Sequence, residues 1–130
     1  MNVGDIMSTD LLTVAPESTL REAARRMSER NVGAALLVDP AIGFYPGIIT
    51  ERDLLDAIAV GYDPDVRRVG ESATSDIVTV SVDASLEQAA EKMTKYDFRH
   101  LLVVSGGDAV GIVSARDLVS ARSQGGRWRG

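Results

Sequence analysis

The sequence contains no cysteine, a single histidine and a single tryptophan among its 130 residues. The absence of cysteine excludes a disulfide framework and thiolate chemistry, and one histidine cannot complete a tetrahedral zinc site. No apolar run approaches the roughly 18 residues that a transmembrane helix requires. The first residues also lack the basic stretch and the apolar core of a secretory signal. These absences predict a cytoplasmic protein that holds no metal.

Positive charge is also scarce. Fourteen Lys and Arg against nineteen Asp and Glu give a net charge of −5, and three of the arginines, Arg122, Arg127 and Arg129, stand within the last nine residues. Nucleic-acid binding usually depends on a dense basic surface, which the rest of the chain does not offer. The basic tail is interpreted as a packed or frayed terminus, and nucleic acid is not an expected partner.

What the sequence does contain is an internal repeat. A shift of 66 residues gives 11 identities over the 36 positions from 3 to 38, and a shift of 64 gives 6 identities over the 11 positions from 47 to 57. The change of register falls between 39 and 46, a predicted loop, because insertions concentrate in loops. The chain is therefore divided into a first repeat (1–60), a linker with lead-in (61–73), a second repeat (74–122) and a basic tail (123–130).

Each repeat shows the same order of local patterns: a short β-type stretch, an amphipathic helix, two apolar strands and a second helix. The predicted fold is α/β (α+β), with the order β-α-β-β-α occurring twice. A unit of under about 60 residues would leave one apolar sheet face uncovered, so the two repeats are expected to pack through their sheets with pseudo-twofold symmetry. The helical stripes that define the amphipathic helices are Leu20, Ala23, Ala24 and Met27, and then Leu86, Ala89, Ala90 and Met93.

A hydroxyl residue and a carboxylate recur where the last strand of each repeat meets the second helix. The pairs are Thr50 with Asp53 and Ser114 with Asp117. Their spacing is that of a capping box, which is the plainer interpretation. The first helices carry the longer Glu or Gln at this position, and Asp is expected to reach back to the backbone less well. A carboxylate here can instead accept hydrogen bonds from a ribose diol, while the hydroxyl and the helix amides hold phosphate.

The duplicated patterns resemble a tandem pair of cystathionine-β-synthase (CBS) domains over nearly the whole chain. The motifs that carry the resemblance are Asp5-Ile6-Met7, Leu12-Thr13-Val14, the two Leu-x-x-Ala-Ala-x-x-Met helices, the segment Arg99 to Val104, and the closing motifs Gly47 to Asp53 and Gly111 to Asp117. The resemblance implies a regulatory, ligand-sensing module. Its ligand would be AMP, ADP, ATP or an S-adenosyl compound in the cleft between the repeats, with no cofactor required.

The resemblance further implies two unequal ligand sites, each combining the hydroxyl-x-x-Asp pair of one repeat with the first strand of the other. The expected members of the first site are Ser114, Asp117, Arg99, His100, Thr13, Val14 and Ala15, with Gly33 and Ala34 close by. The expected members of the second site are Thr50, Asp53, Thr79, Val80 and Ser81. Arg99 and His100 form a cationic phosphate clamp, whereas the matching Gly33 and Ala34 carry no charge. The site at Ser114 is therefore expected to be the stronger one.

The resemblance also implies a homodimer formed through the second helices, where Ala57, Ala59 and Ala121 would permit close contact, and a separate effector protein that reads the signal. The main alternative is a structural or protein-interaction module that binds no nucleotide. An enzyme is disfavoured because each site offers one carboxylate without a second acid or base beside it. The sequence also lacks the nucleophile elbow, P-loop and Rossmann motifs.

Overall fold

The computed structural model of the chain describes residues 1–39, 41 and 47–125, with the last three of these described by their backbone alone. The described part contains two successive sets of elements in the order α-β-α-β-β-α. The first set is α1 (Val3–Ile6), β1 (Thr13–Val14), α2 (Leu20–Arg30), β2 (Ala34–Leu37), β3 (Gly47–Thr50) and α3 (Glu51–Ala59). The second set is α4 (Val69–Ser72), β4 (Thr79–Ser81), α5 (Leu86–Tyr96), β5 (His100–Ser105), β6 (Asp108–Ser114) and α6 (Ala115–Gly125). The predicted α/β repeat is confirmed, with a short helix added before each copy.

Each set builds a three-stranded sheet with the same pairing. The first strand runs parallel to the second, and the second runs antiparallel to the third. The register places Ala34 opposite Thr50 in one sheet and His100 opposite Ser114 in the other. The start of each middle strand therefore lies beside the end of the last strand, where the second helix begins.

The compact units of the chain differ from the sequence repeats. A continuous unit consists of Leu12–Ile77, and a composite unit consists of Met1–Leu11 together with Val78–Gly130. The first eleven residues of the predicted first repeat thus belong with the second sheet, and the predicted linker belongs with the first. The loop at 39–46, where the repeats change register, lies mostly outside the described residues, as do Arg127 and Arg129 of the tail.

In the composite unit the first residues of the chain are held by backbone hydrogen bonds. The N–H groups of Val3 and Gly4 donate to the carbonyl oxygens of Ala84 (2.9 Å) and Val82 (3.0 Å). Ser8 and Ile112 exchange two hydrogen bonds of 2.8 and 2.9 Å, which extends the sheet beside β6. Val3 is fully buried in the core of this unit.

The predicted linker makes the matching contacts in the continuous unit. The N–H groups of Val69 and Gly70 donate to the carbonyl oxygens of Ser18 (2.8 Å) and Pro16 (2.9 Å), and Thr74 exchanges two 2.9 Å hydrogen bonds with Ile48. Val69 is fully buried. Val69 and Ala73 of the predicted linker therefore pack in the core of this unit, although the repeat boundaries drawn from the sequence remain a prediction.

Side chains reinforce the same segment. Arg21 at the start of α2 forms a two-pronged ion pair with Asp65, and its hydrogen bond and positive charge lower the pKa of the Asp65 carboxyl below its ordinary value. The guanidinium of Arg67 lies 3.8 Å from the centre of the Tyr62 ring and donates to Ser72 Oγ at 3.0 Å.

Each unit has its own core, and the predicted helical stripes are confirmed as its helical side. Leu20, Ala23 and Met27 of α2 are buried, as are the matching residues of α5: Leu86, Ala89 and Met93. Ala24 and Ala90 are half-buried at the edges of these stripes. No helix within the described residues is long and apolar enough to cross a membrane.

The glycine that opens each closing motif leaves room for a neighbouring backbone segment. Met7 and Ser8 lie against Gly111, and Thr74 lies against Gly47. A Cβ on Gly111 would lie 2.8 Å from the Ser8 carbonyl oxygen and 2.6 Å from Met7 Sδ, whereas one on Gly47 would lie 3.0 Å from the Thr74 carbonyl oxygen. We expect Gly111→Ala to lower the free energy of unfolding by about 1–3 kcal/mol, because the backbone contact must open. Gly47→Ala is expected to lower it less. Urea denaturation measures both, and an unchanged Gly111→Ala protein would contradict this packing.

Candidate functional site

The junction between β6 and α6 is closed by two reciprocal hydrogen bonds. The Ser114 hydroxyl oxygen accepts from the Asp117 N–H at 3.1 Å, and Asp117 Oδ2 accepts from the Ser114 N–H at 2.8 Å. This is a complete capping box, in which Ser114 is the N-cap residue and Asp117 the third helical residue. The carboxylate is thereby fixed at the end of a strand with both residues half-buried.

The junction between β3 and α3 has the same arrangement. Thr50 Oγ1 accepts from the Asp53 N–H at 3.3 Å, and Asp53 Oδ2 accepts from the Thr50 N–H at 2.9 Å. The expectation that Asp reaches back less well than a longer side chain is wrong. The two Asp contacts, at 2.9 and 2.8 Å, are close in length to the 2.8 Å contact between Gln88 Oε1 and the Ser85 N–H at the start of α5. The strand end folds tightly enough for the shorter side chain to reach the backbone.

The two junctions differ in which hydrogen-bond donors and acceptors remain available once the capping bonds have formed. Thr50 Oγ1 also donates to Asp53 Oδ2 at 3.0 Å, so this hydroxyl proton is used inside the pair. Within the described part of the chain, the Ser114 hydroxyl donates to no protein acceptor, and Asp117 Oδ1 accepts no hydrogen bond. The Ser114 junction therefore keeps both a donor and an acceptor for an outside partner.

Two basic residues stand beside the Ser114 junction. His100 pairs with Ser114 in the sheet, and the Arg99 carbonyl oxygen accepts from the Ala115 N–H at 2.8 Å. Arg99 is exposed and His100 is half-buried. The structure thus places the backbones of four predicted residues side by side: Ser114, Asp117, Arg99 and His100.

The matching positions beside the Thr50 junction carry no charge. Ala34 pairs with Thr50, and the Gly33 carbonyl oxygen accepts from the Glu51 N–H at 3.0 Å. Ala34 is buried, so its side chain contributes packing only. Gly33, Ala34, Thr50 and Asp53 therefore form a second cluster with the same backbone and a different chemistry.

The predicted site residues on the first strand of each repeat (13–15 and 79–81) differ in how far they are buried. Val14 and Val80 belong to the two cores, so only their backbone groups could reach a ligand. Thr79 and Ser81 are exposed, and Thr13 and Ala15 are half-buried. Lys92 of α5 donates to the Thr79 carbonyl oxygen at 2.6 Å, a contact that sequence reasoning missed. Thr13, Val14 and Ala15 belong to the continuous unit, and their contribution to the site at Ser114 remains a prediction.

A sequence model of the CBS domain matches the chain twice, at residues 3–60 and 66–124. The chain belongs to the CBS domain family. Among known proteins, this CBS pair is 36% identical over 118 residues to the CBS domain-containing protein YhcV of Bacillus subtilis, which covers 90% of this chain and 82% of that protein.

Two solved CBS proteins of the same fold contain bound molecules. The CBS domain pair of MJ0100 is in complex with 5′-methylthioadenosine and S-adenosyl-L-methionine, has a TM-score of 0.81 and 29% identity, and covers 98% of both chains. PAE2072 from Pyrobaculum aerophilum is complexed with AMP, has a TM-score of 0.81 and 30% identity, and covers 95% of this chain and 94% of that one.

The capping hydrogen bond of Asp117 should contribute measurably to the free energy of unfolding of the ligand-free CBS pair. We expect Asp117→Ala to lower the free energy of unfolding by about 0.5–2 kcal/mol, because the Ser114 N–H loses its acceptor. Asp117→Asn keeps an oxygen at this place and is expected to lose less. Glu87→Ala is the control, since this exposed first-turn carboxylate of α5 is outside the capping box formed by Ser85 and Gln88. Equal stability of Asp117→Ala and Glu87→Ala in urea would contradict the capping role.

Proposed function

We propose that this CBS pair is a regulatory module that binds an adenosyl ligand, either an adenine nucleotide or an S-adenosyl compound. The observation that carries the proposal is the position of Arg99 and His100 beside the Ser114 junction. Support comes from the similar pairs whose structures hold AMP in one case and 5′-methylthioadenosine with S-adenosyl-L-methionine in the other.

The Ser114 junction offers groups suited to the ribose and the phosphate of an adenine nucleotide. Asp117 Oδ2 is held by the backbone, which leaves Oδ1 to accept hydrogen bonds from the two ribose hydroxyls. The Ser114 hydroxyl and the first amides of α6 can donate to a phosphate, and the Arg99 guanidinium adds a positive charge. We therefore assign the main nucleotide site to this junction.

The Thr50 junction is the weaker nucleotide site in this proposal. Its hydroxyl already donates to Asp53, and its neighbours Gly33 and Ala34 carry no charge. Thr79, Val80 and Ser81 are proposed to complete this site, as Thr13, Val14 and Ala15 are proposed to complete the other. The buried valines would contribute through their backbone groups.

Regulation would follow from linkage, since a ligand that binds one conformation more tightly shifts the population toward it. The proposed reader of that shift is a separate effector protein, and the proposed location is the cytoplasm. Binding rather than catalysis is proposed because the hydroxyl-x-x-Asp pair of each junction holds one carboxylate, and one oxygen of that carboxylate accepts from a backbone amide. A protein-interaction module without a nucleotide is the competing function.

Ligand binding should appear as thermal stabilisation. A ligand at about 100 times its dissociation constant adds about 2.7 kcal/mol, which raises Tm by several degrees in a domain of this size. We expect such a shift with at least one of AMP, ADP, ATP, NAD and S-adenosylmethionine. Arg99→Ala, which leaves the capping box intact, should reduce the shift from phosphorylated ligands, and Asp117→Ala should abolish it. Glu87→Ala should keep it.

A flat thermal panel from folded wild-type protein would contradict the nucleotide proposal and favour the interaction module. A shift that survives Asp117→Ala but disappears in Asp53→Ala would contradict the assignment of the main site.

We also propose that two copies associate through α3 and α6, which correspond to each other in the two repeats. Leu55, Ile58 and Val119 on these helices are exposed by 60%, 57% and 64% of their surface. The expectation that Ala57 and Ala121 open the helix surface to a partner is wrong, because both are buried in their own cores. The exposed larger side chains, together with Ala59, are what a second copy would cover.

A charge on α3 should dissociate the proposed dimer. We expect Ile58→Glu to convert a dimer into a monomer of 13.9 kDa, because a carboxylate would be buried in an apolar contact. Val66→Glu is the matched control, since Val66 is 71% exposed and lies outside both helices. Light scattering after size exclusion measures the mass. A monomeric wild-type protein, with and without ligand, would contradict the dimer.

A further inference from the structure

The chain contains four methionines and no cysteine, so its sulfur chemistry is that of the thioether. Met27 is 3% exposed in the core of the continuous unit, and Met93 is 8% exposed in the core of the composite unit. Met1 is 74% exposed at the first position of the chain. Met7 differs from these three, because it is half-buried and packs against the core of the composite unit. Solvent therefore reaches part of a methionine whose side chain also contributes to packing.

Met7 lies against a glycine of β6. A Cβ on Gly111 would lie 2.6 Å from Met7 Sδ and 3.0 Å from Met7 Cγ, so the thioether rests directly on the glycine backbone. The next residue, Ser8, exchanges hydrogen bonds of 2.8 and 2.9 Å with Ile112. Since Gly111 and Ile112 are neighbours, the thioether contact and the two hydrogen bonds hold the same stretch of β6.

The matching place in the continuous unit has no sulfur. The shift of 66 residues that relates the repeats places Ala73 at the position of Met7. Ala73 packs against the core of its unit, and the residue after it, Thr74, exchanges hydrogen bonds with Ile48. Peroxide oxidises a thioether and leaves a methyl group unchanged. Only one of the two matched segments therefore has an oxidisable side chain.

Oxidation would change the chemistry of this contact. The sulfur lone pair attacks one oxygen of hydrogen peroxide, the O–O bond breaks, water leaves, and the thioether becomes a sulfoxide as the peroxide takes up its two electrons. The polar sulfoxide oxygen requires a hydrogen-bond donor or water. The N–H groups of Ser8 and Ile112 already donate to each other's carbonyl oxygens. The oxidised side chain therefore turns toward water and leaves its place on Gly111.

We infer that Met7 is an oxidation site through which peroxide loosens β6 in the composite unit. Sulfoxide formation moves the side chain off Gly111 and opens the pair of Ser8 and Ile112, which lies two residues before Ser114. A methionine sulfoxide reductase restores the thioether, so the change is reversible. The consequence for ligand affinity at the Ser114 junction rests on the proposed function, whereas the oxidation site and the opening of the strand do not.

Mild treatment of the full chain with hydrogen peroxide tests the site. Peptide mass spectrometry should find sulfoxide at Met7 while Met27 and Met93 remain reduced. The amides of Ser8 and Ile112 should then exchange hydrogen for deuterium at least about tenfold faster, because their hydrogen bonds open. Met7→Leu keeps a side chain of similar volume and should lose this response to peroxide. Met93→Leu is the matched control, since it keeps Met7 and should respond as the wild type does.

Two results would overturn the inference. In the first, Met7 stays reduced until Met27 and Met93 are oxidised. In the second, Met7 is oxidised and the exchange of the Ser8 and Ile112 amides does not change.

A variant and a reversal separate oxidation of Met7 from damage elsewhere. Met7→Gln places a polar group at this position without an oxidant, and it should speed the exchange of the same two amides in untreated protein. Treatment of the oxidised wild type with a methionine sulfoxide reductase should return the exchange to its original rate, which tests the inference even where Met7→Gln does not fold. Exchange that stays fast once Met7 is reduced again would overturn the inference.

AMP titration of the same samples separates this inference from the proposed function. Oxidation of Met7 should lower AMP affinity about fivefold or more in the wild type and leave it unchanged in Met7→Leu. If untreated protein binds no AMP, the adenosyl function fails, and the amide exchange alone decides the oxidation site. AMP affinity that ignores the oxidation of Met7 would overturn the link between this segment and the Ser114 junction.

Discussion

The hydrogen bond from the Ser114 N–H to Asp117 Oδ2, 2.8 Å long, is the contact on which the candidate site depends. It holds a carboxylate at the end of β6, a strand whose Ile112 and Val113 are buried. One carboxylate oxygen serves the backbone, and the other is the acceptor proposed for a ribose. The residue therefore caps a helix and offers a ligand contact at once, so the capping and binding interpretations of the motif are compatible.

The strand that carries this contact is held in place by a segment from the far end of the sequence. Ser8 pairs with Ile112, and Gly111 has no side chain because Met7 and Ser8 pass directly over it. Thr74 and Gly47 repeat the arrangement in the continuous unit. The glycine of each closing motif is thus explained by packing, whereas the hydroxyl and the aspartate that follow it are the residues with chemistry to offer.

Much of the fold could be predicted because the periodic patterns are local. The second helix of the first repeat, α3, follows the last strand as the predicted order of elements requires, and the spacing of Leu20, Ala23 and Met27 predicted the buried side of α2. The sequence could not predict that Val3-Gly4 packs with the second sheet and Val69-Gly70 with the first. The two dipeptides are identical, and no local signal indicates which sheet each one joins. The burial of Ala57 and Ala121 in the cores could likewise not be predicted from the sequence, because alanine suits both a core and a contact between helices.

An amide chemical-shift titration with AMP tests most directly whether an adenosyl ligand binds at the Ser114 junction. We expect saturable shifts for the amides of Ser114, Ala115 and Asp117, with Arg99 and His100 responding at the same AMP concentration. Saturable shifts confined to other parts of the chain, with these five amides unmoved, would contradict binding at this junction.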